Sequence, residues 1–282
     1  MRVASRCGTP VTTPAEAYGR LLERLRTLDS VLVAYSGGVD STLLAVAARE
    51  ALPGRTVAVL AVSATYPRSE VEAAEATAAE LGLDFVEVET DELADPNFTA
   101  NPPDRCYYCK QELFGLLRDL ADARGLAHVA DGNNADDLTD HRPGRRAAME
   151  LGVVSPLQDA GLTKEDIRGI SRMLGLPTAE KPSMACLASR FPYGTAIDAP
   201  GLGRVGAAED ALRALGFVQT RVRAHGDVAR LEVASGEMEA AFAQRAAVSS
   251  ALKNAGFAYA ALDLDGYRTG SMNETLGEET RS

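Results

Sequence analysis

Ser36-Gly37-Gly38-Val39-Asp40-Ser41 is the first stretch of this 282-residue chain whose residue types and spacing could do chemistry. Two adjacent glycines let backbone N–H groups come close to phosphate oxygens. The hydroxyls of Ser36 and Ser41 add donors, and a helix beginning at Ser41 adds the positive end of its dipole. Such a loop is an anion cradle. It lacks the Walker spacing, with no lysine after the glycines. Taken alone it also reads as an ordinary strand-to-helix turn. Asp40 is a candidate Mg²⁺ ligand on a departing pyrophosphate, or a helix N-terminal charge. Asp131-Gly132-Asn133-Asn134-Ala135-Asp136-Asp137, at the end of a later strand, offers a second polar rim where doubly wound sheets bind ligands.

Three cysteines form the second constellation. Cys106 and Cys109 frame two tyrosines at the start of a helix, and Cys186 lies in Lys181-Pro182-Ser183-Met184-Ala185-Cys186-Leu187-Ala188-Ser189-Arg190. Structural zinc takes four protein ligands, and no histidine accompanies these cysteines. Three thiolates suit a [4Fe-4S] cluster whose fourth iron stays open to an outside ligand such as sulfide. Plain small apolar packing is the alternative. Arg105, Lys110 and the helix N-terminus are expected to lower the thiol pKa values of the pair. Cys7 stands in a patternless N-terminal stretch and is not expected to be a ligand.

Arg221 and Arg223 sit two apart on an expected strand and so share one face, where two guanidiniums can clamp a phosphate; a solvated face is the alternative. Glu209 is a candidate metal-binding carboxylate, or an exposed helix carboxylate.

Strands expected at 31–35, 56–62, 85–88, 127–130 and 153–157 alternate with helices at 12–28, 41–51, 69–81, 105–124 and 134–151, and a helix at 164–174 follows. This alternation predicts an α/β fold with a doubly wound parallel sheet. Residues 180–200 are rich in Pro, Ser, Ala and Gly. Beyond them the order helix (205–215), strands (218–223 and 229–233), helix (237–254) and strand (259–264) predicts a smaller α+β domain. The expected division is therefore a loose tail at 1–15, a first domain at 16–179 and a second at 180–282.

A net charge of −11 argues against a partner that is nucleic acid, and no apolar run is long enough to span a bilayer. The residues 1–15 lack a signal-peptide pattern, and four cysteines are too few for a disulfide scaffold. A cytoplasmic protein is expected.

The glycine loop resembles the pyrophosphatase loop of the N-type ATP pyrophosphatases, the PP-loop superfamily, over roughly Val31 to Leu157. The resemblance implies cleavage of ATP to pyrophosphate, leaving AMP on a substrate oxygen. It assigns Ser36, Gly37, Gly38, Asp40, Ser41 and Ser63 to ATP.

With Arg105-Cys106-Tyr107-Tyr108-Cys109-Lys110, Ala185-Cys186-Leu187-Ala188-Ser189-Arg190-Phe191-Pro192-Tyr193-Gly194 and Gly270-Ser271-Met272-Asn273-Glu274, the likeness extends over nearly the whole chain after residue 15. It resembles the LarE family, ATP-dependent sulfur-inserting enzymes of nickel-pincer nucleotide synthesis. That resemblance implies conversion of the carboxylates of pyridinium-3,5-biscarboxylic acid mononucleotide to thiocarboxylates. One version of the family sacrifices the sulfur of the cysteine matching Cys186; the other binds a [4Fe-4S] cluster through cysteines matching Cys106, Cys109 and Cys186. All three are present here, which selects the cluster version. Ser189, Arg190, Arg221 and Arg223 are implied to meet the phosphorylated small-molecule substrate, and Glu209 a metal. Expected partners are that nucleotide and sulfide or another sulfur donor; a homo-oligomer is compatible with the chain. A tRNA thiolase, an amidating ligase of the same superfamily and a non-catalytic ATP-binding regulatory module are the competing readings.

Overall fold

The computed structural model describes residues 13–139, 143–182, 185–268 and 270–272. Thr13 starts the first helix with a capping box: its hydroxyl accepts the Glu16 N–H at 3.3 Å, and the Glu16 carboxylate accepts the Thr13 N–H at 2.9 Å. Helix α1 (Pro14–Arg26) leads into β1 (Val31–Tyr35), α2 (Val39–Ala51), β2 (Thr56–Val62), α3 (Arg68–Glu80) and β3 (Phe85–Glu89). Then come α4 (Pro96–Thr99), α5 (Arg105–Ala123), β4 (His128–Ala130), α6 (Gly144–Glu150), α7 (Pro156–Asp159) and α8 (Lys164–Met173). The four strands form one parallel sheet in the order β3-β2-β1-β4.

Side chains alternate across this sheet, so each strand feeds two cores. Val31, Val33 and Tyr35 pack with α1, α2 and α8 through Leu21, Leu44 and Ile167, while Leu32, Val57 and Val59 meet Phe114 and Leu117 of α5 on the other face. Both faces are covered by helices, which is the expected α/β arrangement.

Two sequence expectations fail between 134 and 157. The fifth strand is reduced to a single bridge, Val154 to Ala130, because Pro156 has no N–H to continue a ladder and opens α7 instead. The helix expected over 134–151 is a 3-10 turn at Ala135–Thr139 and then α6, with Pro143 as the N-cap of α6. Asp95 caps α4, a short helix the periodicity did not reveal, by accepting the Asn97 N–H at 2.8 Å.

Past residue 180 come a 3-10 turn (Leu187–Arg190), α9 (Ala199–Ala214), β5 (Thr220–His225), β6 (Val228–Val233), α10 (Met238–Ala243), α11 (Arg245–Asn254) and β7 (Tyr259–Leu262). The α9 helix starts six residues earlier than expected because Asp198 accepts the Gly201 N–H at 2.7 Å. Strand β5 is shifted by two residues, which leaves Arg221 and Arg223 on a common face. β5 pairs antiparallel with β6 through a turn at Gly226, and β6 pairs parallel with β7. Phe191, Leu212, Val222 and Leu231 form a third core, which also takes in Phe98 from α4 and packs against Tyr108 and Cys109 from α5. Among the described residues no helix is long and apolar enough to cross a membrane.

Candidate functional site

The turn from β1 into α2 holds the glycine loop. Gly37 has φ +65°, and a Cβ there would lie 2.5 Å from Ala74 Cβ of α3, so both backbone conformation and space demand glycine. Ser41 Oγ accepts the Ser36 N–H at 3.1 Å and lies 3.0 Å from Ser36 Oγ. No side chain caps α2 at Gly38, which leaves donors of its first turn for an anion. Ser63, just past β2, is 2.8 Å from Thr65 Oγ1 and accepts the Thr65 N–H at 3.2 Å.

Two lysines that the sequence reading missed reach this loop. Lys164, at the first turn of α8, pairs with Asp40 Oδ2; Lys181 donates to the Gly37 carbonyl at 3.1 Å and pairs with Glu70 Oε2 at 3.0 Å. A Walker lysine directly follows its glycines, whereas these two arrive from elements far downstream. Asn134 Nδ2 donates to Asp40 Oδ1 at 3.4 Å, and a Cβ on Gly132 would lie 3.3 Å from Ser41 N, so the rim after β4 stands against the loop. Asp131 is buried there, and burial raises its carboxyl pKa against the opposing hydrogen bonds from Ser155 Oγ (2.7 Å) and the Asn133 N–H (3.2 Å). Asp40, which also holds Lys164 and Asn134, and Asp131 are hard oxygen donors on the two rims beside the anion cradle, the ligand type that Mg²⁺ takes.

A cleft opens over the C-terminal ends of β1 and β2, lined by Ser36, Leu60, Tyr66, Glu70 and Lys110 among others. Tyr66 connects it to the cysteines. The preceding Thr65 carbonyl accepts the Leu187 N–H at 2.8 Å, which pins the Cys186 segment to this loop. Burial, followed by the charges of Cys109, Cys186, Glu92 and Cys106, pushes the Tyr66 hydroxyl pKa far up, so all three thiols stand within electrostatic reach of one phenol.

The expected lowering of both thiol pKa values does not hold for Cys109. Burial raises it strongly, Lys110 opposes, and Cys186, Glu92 and Cys106 raise it further. Arg105 is turned away, bonded to Asn101 Oδ1 and stacked 5.2 Å over the Tyr193 ring. Cys106 is exposed and the other two thiols half-buried. Among the described residues no three His, Cys, Asp or Glu side chains are grouped to hold one metal ion. Thiolates of a four-iron cube bind different irons and stand farther apart than ligands of a single ion. Cys109 and Cys186 pack against one core, and Glu92 stands 3.8 Å from Cys109 Sγ with its second oxygen lacking a partner among the described residues; these donor types fit such a group.

The arginines are more deeply built in than expected. Arg190 is 0% exposed and forms a bidentate pair with Glu209 at 2.9 and 2.8 Å. Glu209 itself is 1% exposed and its Oε1 also accepts the Val222 N–H at 2.9 Å, so it is not an exposed helix carboxylate, and a metal there has to compete with a guanidinium. Arg223 makes the same fork to Glu232 (3.0 and 2.8 Å) and donates to the Ser189 carbonyl (2.8 Å) and Ser271 Oγ (3.0 Å). Ser189 Oγ donates to the Cys186 carbonyl at 2.8 Å and accepts from Arg190 at 2.8 Å, tying the arginine cluster to the cysteine segment. Arg221 lies 5.2 Å from the Tyr267 ring; burial and then Arg190 lower its pKa. Arg190 and Arg223, forked to Glu209 and Glu232, and the buried Arg221 beside them bring three guanidiniums together in a buried setting, donors suited to the oxygens of an anion. Cys7, Asn273 and Glu274 lie outside the described residues.

A family model described as asparagine synthase matches residues 21–115, which run from within α1 to the middle of α5 and include the glycine loop. An uncharacterized protein of Synechocystis sp. is 46% identical over 262 residues, covering 90% of this chain and 97% of its own length. An uncharacterized protein of Methanocaldococcus jannaschii is 28% identical over 239 residues, 85% of this chain and 91% of the relative. The pyridinium-3,5-bisthiocarboxylic acid mononucleotide synthase of Lactiplantibacillus plantarum is 39% identical over 267 residues, covering 94% of this chain and 97% of that enzyme. That degree of identity over nearly the whole of both chains makes this chain a member of the LarE family within the PP-loop superfamily.

Proposed function

We propose that this chain is an ATP-dependent sulfurtransferase that adenylates the carboxylates of pyridinium-3,5-biscarboxylic acid mononucleotide and converts them to thiocarboxylates for nickel-pincer nucleotide synthesis. The observation that carries the reading is Tyr66. It lines the same cleft as the phosphate-loop residue Ser36 while lying within electrostatic reach of Cys106, Cys109 and Cys186. In this reading activation and sulfur delivery meet at Tyr66, at the edge of the cleft, where the Thr65 carbonyl accepts the Leu187 N–H next to Cys186. Residues 16–179 serve as the ATP-cleaving unit and 180–282 as the sulfur-transfer and substrate unit.

In this reading the glycine-loop N–H groups, Ser36, Ser41 and the Lys164 and Lys181 ammoniums bind the phosphates, Ser63 borders the nucleotide, and Asp40 and Asp131 would hold Mg²⁺. An adenylated carboxylate carries AMP as a good leaving group, which lets a sulfur nucleophile attack the carbonyl carbon. A [4Fe-4S] cluster held by Cys106, Cys109 and Cys186 would supply sulfide when bound. Tyr66 Oη, its pKa raised by burial, keeps its proton and is a donor available to bound substrate. Arg221, with Arg190, Arg223 and Ser189 around it, orients the substrate phosphate. Glu209 fixes Arg190.

An anaerobic assay with ATP, the biscarboxylated mononucleotide and sulfide tests this. Substrate-dependent pyrophosphate release and a thiocarboxylate product seen by mass detection are expected. No pyrophosphate above background would favour a regulatory ATP-binding module; an amide product with ammonia would favour an amidating ligase. Dehydroalanine at Cys186 after turnover, in protein that takes up no iron, would replace the cluster with sacrificial donation.

A further inference from the structure

Glu92 belongs neither to the glycine loop nor to the cysteine motifs. It opens the 3-10 turn Glu92–Ala94 between β3 and α4 and is 3% exposed. Its two oxygens are unequal. Oε1 accepts the Thr90 hydroxyl at 3.1 Å and the Cys109 thiol at 3.8 Å, whereas Oε2 is buried without a hydrogen-bond partner among the described residues. A buried carboxylate oxygen lacking a donor or cation is unfavourable. The neighbours aggravate it: Cys109, Tyr66 and Glu112 all feel Glu92 as an added negative charge. Lys110, the nearest cation in sequence to Cys109, lies over the Phe114 ring at 5.2 Å. Among the described residues no cation is hydrogen-bonded to Glu92 Oε2.

We propose that Glu92 Oε2 is a protein ligand of the [4Fe-4S] cluster, occupying the iron that the three thiolates leave open. This rests on the cluster reading above. A Cys109 sulfur bound to iron has no proton to give, so cluster binding strips Glu92 of one of its donors and leaves a second oxygen needing a partner. Iron supplies it, since carboxylate oxygen is a competent ligand for iron. Glu92 then caps the fourth iron at rest and yields to sulfide. In that exchange the Fe–O bond breaks with its electron pair remaining on the carboxylate, and HS⁻ brings the pair for the new Fe–S bond. No electron enters or leaves the cluster.

The test uses the full chain reconstituted anaerobically with iron and sulfide and then freed of excess sulfide. Wild type and Glu92→Gln are both expected to hold about four irons per chain. Glu92→Gln is expected to bind added sulfide about tenfold more tightly, since an internal competitor has been removed, and to shift the Mössbauer doublet of one iron. Wild type labelled with ¹³C-glutamate gives a second readout that needs no variant: an electron–nuclear double resonance coupling from one carboxylate to the reduced cluster, lost when sulfide is added. Equal iron content with unchanged sulfide affinity, unchanged doublets and no ¹³C coupling overturns the Glu92 assignment alone. Wild type that takes up no iron overturns the cluster reading and Glu92 with it.

Discussion

Lys181 holds the Gly37 carbonyl at 3.1 Å across 144 residues of sequence, and the same ammonium pairs with Glu70 at 3.0 Å. A cation absent from the loop's own sequence is delivered to it by the segment that carries Cys186. Lys181→Met is expected to raise the KM for ATP and slow pyrophosphate release by about ten- to a hundredfold, the worth of charge-assisted hydrogen bonds of roughly 1.5–3 kcal/mol. Affinity for the mononucleotide should stay unchanged. Steady-state pyrophosphate detection with each substrate varied in turn checks this, and an unchanged KM for ATP would count against the role.

Asp131 makes a pH prediction. Its carboxyl pKa is raised in the folded state by burial, so the ionised group opposes folding. Stability from this residue is fully present below the unfolded carboxylate pKa and is lost as pH rises through the raised folded value. Asp131→Asn is therefore expected to be more stable than wild type at neutral pH, by a margin that shrinks on acidification, while losing Mg²⁺-dependent pyrophosphate release. Urea unfolding across the carboxylate range measures the margin; a margin that grows toward low pH would refute the assignment.

The Arg190–Glu209 pair is expected to be asymmetric to mutation. Glu209→Gln leaves a guanidinium buried without its counter-charge and should cost about 3–5 kcal/mol, whereas the double change Arg190→Met with Glu209→Leu should cost much less because both charges leave together. Thermal unfolding of the singles and the double provides the cycle. Additive losses would mean the two side chains act independently.

Arg221 should separate substrate binding from activation. If Arg221 meets the substrate phosphate, Arg221→Ala is expected to raise the KM for the phosphorylated mononucleotide by about ten- to a hundredfold and leave the KM for ATP alone. Equal weakening of both substrates would make Arg221 a general structural residue.

The parallel sheet was legible because its strands are short apolar runs bounded by turns, and the glycine loop because its residues are adjacent. Cys106, Cys109 and Cys186 were likewise legible as types, but their setting was not. Sequence neighbours Arg105 and Lys110 suggested lowered thiol pKa values, and burial, which no local pattern reports, outweighed them at Cys109. Strand periodicity set Arg221 and Arg223 on one face, yet the carboxylate that forks Arg223, Glu232, comes from β6, and Glu209 of α9 holds Arg190. Lys164, Lys181 and Glu92 carried no motif at all; each acquires its meaning only from what the fold sets beside it.

Helix α5 belongs to two interiors: Phe114 and Leu117 lie against the parallel sheet, while Tyr108 and Cys109, one to two turns earlier, lie against the core of the smaller sheet, where Phe98 is also buried. The order of folding follows from this. The core of the smaller sheet lacks part of its interior until the segment from 98 to 109 is in place. Contacts of such long sequence separation form slowly. The later-synthesised half should therefore condense onto a finished earlier half, and the cysteines come together only in that last step.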